Sequence, residues 1–226
     1  IGLGHAYTSH RTKIDLVLEY LAGLDPEQPL LFVDGYDTVF LTGPQEMEAK
    51  FAAFGAEIVF SAEQNLLVSE GGWSRLRIWW HYPETRRPYR FANSGTYAGL
   101  AGRLAALWRA QDLDRIEQQN CDQSAINRHY RSHPDALVLD VHQELFAVTA
   151  GRTGLEAEDY EVRDGRLRST LTGSWPCVLH CPGKNYIGLE KLIEPLPFAS
   201  GSSVPSAEQA GKYRASRWRN RMSART

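Results

Sequence analysis

One stretch constrains this chain more than any other: the apolar run Leu30-Leu31-Phe32-Val33, which stops at Asp34-Gly35-Tyr36-Asp37-Thr38. Consecutive apolar residues without polar alternation mark a strand buried on both faces, as in sheets covered by helices on each side. In such sheets ligands gather beyond the carboxyl ends of the strands, which is where Asp34 and Asp37 fall. Two acids three residues apart, with Gly35 loosening the turn between them, can face one divalent cation. The local alternatives are a solvated turn or a cap for the next helix.

The rhythm around this strand predicts an α/β fold. Ile14, Val17, Leu18 and Leu21 fall at helical spacing and predict a helix over roughly 12–23. Thr42-Gly43-Pro44 starts a second helix, with Pro at a tolerated first position. Met47, Phe51 and Phe54 give it an apolar face, and Ile58-Val59-Phe60 makes a short strand ending in Ser61-Ala62-Glu63. Alternating helices and strands argue for a largely parallel sheet. Residues 64–90, with Trp73, Trp79, Trp80 and the pair Arg86-Arg87, break the alternation and are predicted as a long loop or lid.

Beyond it, a turn-rich strand is expected over 91–99 and a helix carrying Leu104, Leu107 and Trp108. A helix over 122–130, strands at 137–139 and 145–148, and a hairpin turning at Asp164-Gly165 follow. Pro176-Cys177-Val178-Leu179 is a last strand, ending at His180. The division expected is a folded domain over 1–198 and a disordered basic tail over 199–226.

Composition narrows the function. With 226 residues the chain suffices for one full core, and its net charge of −2 offers no global basic field for nucleic acid. No apolar stretch is long enough to span a membrane, and Ile1-Gly2-Leu3-Gly4-His5 has neither the charged nor the apolar part of a signal peptide. Cys121, Cys177 and Cys181 form no metal-binding CxxC set and cannot all pair internally, leaving a Cys177–Cys181 bridge open.

Two carboxylates, Asp34 and Asp37, with the imidazole of His180 suit Mn²⁺, with Mg²⁺ as the harder alternative. Gly183 and Lys184, just past His180, can present backbone N–H groups and an ammonium to phosphate. A metal there would neutralise charge on a departing phosphate oxygen.

Leu31-Phe32-Val33-Asp34-Gly35-Tyr36-Asp37 resembles the metal motif of the glycosyltransferase domain of procollagen lysyl hydroxylases. Further segments resemble that family in the same order: Phe60-Ser61-Ala62-Glu63, Phe91-Ala92-Asn93-Ser94-Gly95 with Gly99, Asp122-Gln123, Leu139-Asp140 with Leu145-Phe146, and His180 with Gly183 and Lys184. The resemblance spans roughly residues 13–196. It implies a GT-A-like fold, a mixed and mostly parallel sheet flanked by helices, that binds a UDP-sugar with Mn²⁺. By that resemblance Asp34, Asp37 and His180 hold the metal, and Tyr36 lies against the uracil. Lys13, Gly183 and Lys184 face the phosphates, Asn93, Ser94 and Gly95 line the sugar side, and Asp122 is the acid nearest the transferring sugar.

A carboxylate such as Asp122 can stabilise positive charge on the sugar, bind sugar hydroxyls, or cap a helix. Glu63, at a strand end on the same edge, is a second catalytic candidate. Trp79 and Trp80 cover the sugar or acceptor, or pack as a lid. The implied acceptor is a hydroxyl on a protein or glycoside, hydroxylysine and its galactosyl derivative included. The implied compartment is the endoplasmic reticulum lumen of the animal family, or the cytoplasm in a microbial relative. The chain departs from the family in its shortened acidic run, Cys121-Asp122-Gln123, and in having no opening nucleotide-binding strand before residue 12. Two other readings remain: a degenerate domain that binds nucleotide without catalysis, and a phosphohydrolase of the haloacid dehalogenase type.

Overall fold

The structure is a computed structural model that describes residues 1–2, 4–35, 37–82, 88–149, 159–182 and 196. The first element, α1 (His10–Ala22), is capped by Ser9, whose Oγ accepts the Arg11 N–H. Ile14, Val17 and Leu21 form its buried stripe, and it packs on α4 (Ala101–Arg109), α5 (Leu113–Gln119) and α6 (Asp122–Ser132).

The main sheet has the order β1-β4-β3-β5, formed by Pro29–Val33, Phe91–Leu100, Ile58–Glu63 and Val138–Asp140. β4 runs antiparallel to both β1 and β3, and β5 runs parallel to β3, so three of the four strands share one direction. The sheet is therefore mixed, with helices on both faces. The apolar run of β1 is half-buried rather than buried, because β1 is an edge strand: Leu30 and Phe32 pack against the cluster holding Ile14 and Leu104, while Leu31 and Val33 pack on the other face with Met47, Phe51 and Phe54. The last three lie on or just after α2 (Pro44–Ala53).

A second sheet, β2-β9-β6, joins Thr38–Phe40, Val178–His180 and Phe146–Val148, with β2 antiparallel and β6 parallel to β9. The expected hairpin is β7 (Tyr160–Arg163) and β8 (Arg166–Ser169), turning through Asp164 and Gly165, both with positive φ.

Two features depart from the sequence reading, and one open question is answered. Part of the expected loop over 64–90 is a helix, α3 (Gly72–His81). It begins without a side-chain cap, so no start signal marks it in the sequence, and Ile78 is its one buried residue. The elements β2 and α5 are too short to stand out by periodicity. All three cysteines are free thiols. Cys177 and Cys181 flank β9, and four residues of extended chain put them about 13 Å apart, well beyond disulfide reach. Tyr36, Arg86, Arg87, Gly183, Lys184 and the tail over 199–226 lie outside the described residues.

Candidate metal centre

Strand pairing brings Asp34, Asp37 and His180 together. The Asp34 N–H donates to the Gly95 carbonyl at 2.8 Å, extending the β1–β4 ladder by one residue. On the other side of the turn, Thr38 stands opposite His180 in the β2–β9 pair, and the Cys181 N–H donates to the Asp37 carbonyl at 2.7 Å. One ligand atom from each of the three side chains falls within 4.8 Å of the others. His180 Nε2 lies 3.4 Å from Asp37 Oδ1 and 4.0 Å from Asp34 Oδ2. Two donors on one ion, each about 2.1 Å from it, can stand up to about 4.2 Å apart, so both spacings fit one cation. The His180 ring is 2% exposed, yet neither ring nitrogen has a hydrogen-bond partner. A buried imidazole left unsatisfied beside two carboxylates has the chemistry of a metal ligand.

Gly95 makes this approach possible. A Cβ there would sit 2.1 Å from His180 Cε1, 2.7 Å from Nε2 and 2.9 Å from Asp34 Oδ2. The glycine lies in an irregular part of β4. Phe60 of β3 pairs with Tyr97, but the next residue, Ser61, pairs with Asn93, so residues 94–96 bulge from the β3 ladder. Ser61 Oγ closes the bulge by donating to the Asn93 and Thr96 carbonyls at 3.2 and 2.8 Å. Asn93 Oδ1 accepts the Gly95 N–H at 2.9 Å.

Lys13 of α1 reaches this edge from the opposite side. Its Nζ is 2.9 Å from Asp34 Oδ1, 2.9 Å from Asp122 Oδ2 and 3.1 Å from the Ser94 carbonyl. Burial works against the ammonium, but Asp122 and then Asp34 outweigh it and hold its pKa well above the ordinary lysine range. Burial likewise pushes the Asp122 carboxyl up. Lys13, followed by His10 with its Nε2 3.8 Å away, reverses that and keeps it below the usual range. Asp122 is the first residue of α6, whose cap is Cys121, with Sγ accepting the Ser124 N–H. Helix capping, one of the roles open for Asp122, therefore belongs to its neighbour.

Glu63 stands one hydrogen bond behind this cluster. Its Oε1 accepts from Asn93 Nδ2 at 3.1 Å and from Gln123 Nε2 at 2.6 Å, while Oε2 is buried without a partner. Burial lifts this carboxyl to about 7, against the lowering effect of those two donors. The edge thus gathers Lys13, Asp34, Asp37, Ser94, Gly95, Asp122 and His180, with Glu63 and Asn93 immediately behind. Sequence reasoning gave no role to Ser61, named only within its strand-end segment, nor to His10 or Asn127, whose Nδ2 ties α6 to the Ala92 carbonyl at 3.1 Å. Serine in a buried strand and asparagine on a buried helix face were the available signals.

The family model for the PLOD GT domain matches residues 6–199. Among curated relatives, procollagen-lysine,2-oxoglutarate 5-dioxygenase 1 of Mus musculus is 29% identical over 209 residues, 89% of this chain and 26% of that protein. The Drosophila melanogaster procollagen-lysine,2-oxoglutarate 5-dioxygenase is 30% identical over 186 residues, 78% of this chain and 24% of that one. The multifunctional procollagen lysine hydroxylase and glycosyltransferase LH3 of Rattus norvegicus is 28% identical over 171 residues, covering 74% and 22%. The chain thus spans about a quarter of the length of these relatives. A family match over most of the described fold leaves the phosphohydrolase reading without support. The chain belongs to the family of PLOD glycosyltransferase domains.

Proposed function

We propose that this domain is a Mn²⁺-dependent glycosyltransferase that moves a hexose from a UDP-sugar to a hydroxyl acceptor on a protein or glycoside. The observation that carries the reading is the convergence of Asp34, Asp37 and the unpartnered His180 over a glycine that no other residue can replace without collision. Asp34, Asp37 and His180 would hold the ion, which when bound neutralises charge building on the diphosphate as it leaves. Tyr36, between the two acids in sequence, is assigned to the uracil ring, and Gly183 and Lys184, just after His180, to the phosphates.

Lys13 is a permanent cation on the floor of the site. It compensates Asp34 and Asp122 before substrate arrives, and it offers the donor phosphates a fixed positive charge. Asp122, kept ionised by Lys13, is suited to stabilise positive charge on the sugar as its bond to UDP breaks. Asn93, Ser94 and Gly95 are assigned to the sugar side. Glu63, the second catalytic candidate, is fully buried one hydrogen bond behind the cluster, so the part its geometry supports is to hold Asn93 and Gln123 in place.

The test is UDP release from a panel of UDP-sugars, with Mn²⁺ and with chelator, for the natural chain and for D37A. Metal-dependent release from one sugar, abolished in D37A, supports the reading and names the donor. Release that persists in chelator, or in D37A, contradicts the metal assignment. UDP binding in Mn²⁺ without release from any sugar indicates a domain that binds nucleotide without catalysis.

A further inference from the structure

Transfer to a hydroxyl releases a proton, and few groups at this edge could take it. Asp34, Asp37 and His180 are the proposed metal ligands, Lys13 is a cation, and Glu63 is enclosed behind Asn93 and Gln123. Asp122 is held below the usual carboxylate range, mainly by Lys13 against the effect of burial, which makes it a weak base. His10 stands beside it. It is the first residue of α1, its Nε2 is 3.8 Å from Asp122 Oδ1, and its side chain is 32% exposed against 4% for Asp122. Lys13 meets the other carboxylate oxygen, Oδ2, at 2.9 Å. Asp34, Lys13, Asp122 and His10 therefore follow one another along one edge.

Asn120 decides which nitrogen of this ring is bare. His10 Nδ1 is 2.8 Å from Asn120 Oδ1, and the same oxygen accepts the His10 backbone N–H at 3.0 Å. A backbone N–H only donates, so the Asn120 atom that meets it is the carbonyl oxygen and not the amide nitrogen. An acceptor without hydrogens requires the hydrogen to be on Nδ1. The neutral ring is therefore the Nδ1–H tautomer, with a free lone pair on Nε2. Nε2 makes no hydrogen bond to the described residues. Asn120 is itself fixed: it ends α5 in the left-handed conformation, φ 46° and ψ 48°, which asparagine tolerates better than most residues. Tyr7 flanks the ring edge-on, with centroids 6.1 Å apart. Nε2 and Asp122 Oδ1 are then two acceptors facing each other, and neither can satisfy the other. Their gap suits a group that brings a proton.

We propose that His10 Nε2 takes the proton of the acceptor hydroxyl, with Asn120 as the positioning residue that keeps Nε2 bare. The proposal rests on the glycosyltransferase reading above and supplies its base. In the step, the acceptor O–H bond breaks and its proton goes to Nε2, while the oxygen bonds to the anomeric carbon of the donor sugar. The bond from that carbon to the diphosphate oxygen breaks, and its electron pair leaves with UDP. The imidazolium left behind faces Asp122 across 3.8 Å and is stabilised by it. It then returns its proton to solvent, which the partial exposure of the ring allows. The ring gains an ionic partner only as the proton arrives, so Asp122 favours the transition state over the resting site.

The experiment measures UDP release from UDP-glucose and UDP-galactose in Mn²⁺, with water and with hydroxylysine as acceptors, for the natural chain, H10Q, N120D and N120G. H10Q should lower kcat by about 100-fold or more, as loss of a general base does, with the KM for the UDP-sugar within about twofold of natural. N120D keeps an oxygen for the Nδ1–H and should retain most of the turnover. N120G suits the left-handed backbone but offers no oxygen, and should lose about tenfold or more. Nitrogen-15 spectra of histidine-labelled protein, with His10 assigned by its absence in H10Q, should show a neutral ring protonated on Nδ1. Natural turnover in H10Q would leave the proton to the departing phosphate oxygen and overturn the proposal. Equal turnover of N120G and N120D, or a neutral ring protonated on Nε2, would overturn it as well. Release by the natural chain and H10Q alike, abolished in D37A, removes the base and keeps the glycosyltransferase reading. No release by the natural chain removes both.

Discussion

Substituting Gly95 tests the architecture of the site more sharply than removing any ligand. The φ angle of Gly95 is not in the left-handed region, so alanine is permitted by the backbone and the whole cost is steric. A new Cβ would lie 2.1 Å from His180 Cε1, so the ring must withdraw by more than 1 Å to reach an ordinary contact of about 3.5 Å. It cannot yield freely, because His180 sits at the end of β9, between β2 and β6. Overpacking of this kind costs about 1–3 kcal/mol, which for a domain of this size lowers the melting temperature by about 3–10 °C. The same displacement draws Nε2 away from Asp34 and Asp37. Mn²⁺ affinity in G95A should therefore fall by at least the 10–100-fold, roughly, that follows loss of a group supporting a ligand. Calorimetric melting and Mn²⁺ titration read the two effects. The double variant G95A/H180A supplies the control: with the imidazole gone the Cβ has room, so the stability cost of G95A should shrink in that background while metal binding stays lost. A G95A protein with natural melting temperature and natural Mn²⁺ affinity would refute the close packing of glycine, imidazole and carboxylate.

Other consequences follow from the charges. In K13M the buried Asp122 and its neighbour Asp34 lose their shared cation, so stability should fall by about 3 kcal/mol. Mn²⁺ should restore more of it than it adds to the natural chain, and a melt with and without the ion decides. For Glu63 in the metal-free protein, burial raises the carboxyl from 4.5 to about 7. Between those values the folded state keeps a proton that the unfolded chain has lost, so stability declines as pH rises through that window, by about 3 kcal/mol. E63Q should lack this decline, seen by comparing urea midpoints of both proteins at pH 4.5 and pH 8. Asp140 accepts the backbone N–H groups of Glu144, Leu145 and Phe146 at 2.7–2.8 Å. D140A leaves these buried donors unpaired and should cost about 2–4 kcal/mol in chemical unfolding.

Much of this site was legible in the sequence because strand ends advertise themselves. The apolar run of β1 locates Asp34 at a sheet edge, and the short run before His180 places that ligand at the end of β9. Periodicity also located α1 and α4, whose stripes are buried, and α2, whose Met47 and Phe51 are partly buried. What escaped were contacts made by pairing rather than by spacing. Nothing in the order of residues says that Thr38 will stand opposite His180, or that β4 will bulge between Asn93 and Tyr97 so that Gly95 meets an imidazole. Lys13 was assigned to phosphate by resemblance alone, and its place between Asp34 and Asp122 required the packing of α1 over the sheet edge. Helix α3 escaped because it starts at Gly71-Gly72 without a capping side chain and its three tryptophans were read as parts of a lid.

The most direct test is a Mn²⁺ titration monitored by the resonance of the free aquo ion, with and without UDP, in the natural chain and in H180A. One Mn²⁺ site that UDP tightens is predicted, because the diphosphate would add its charge to the ligands Asp34, Asp37 and His180 would supply, and H180A should lose that site. Equal Mn²⁺ binding by H180A and the natural chain, or binding that UDP leaves unchanged, would contradict it.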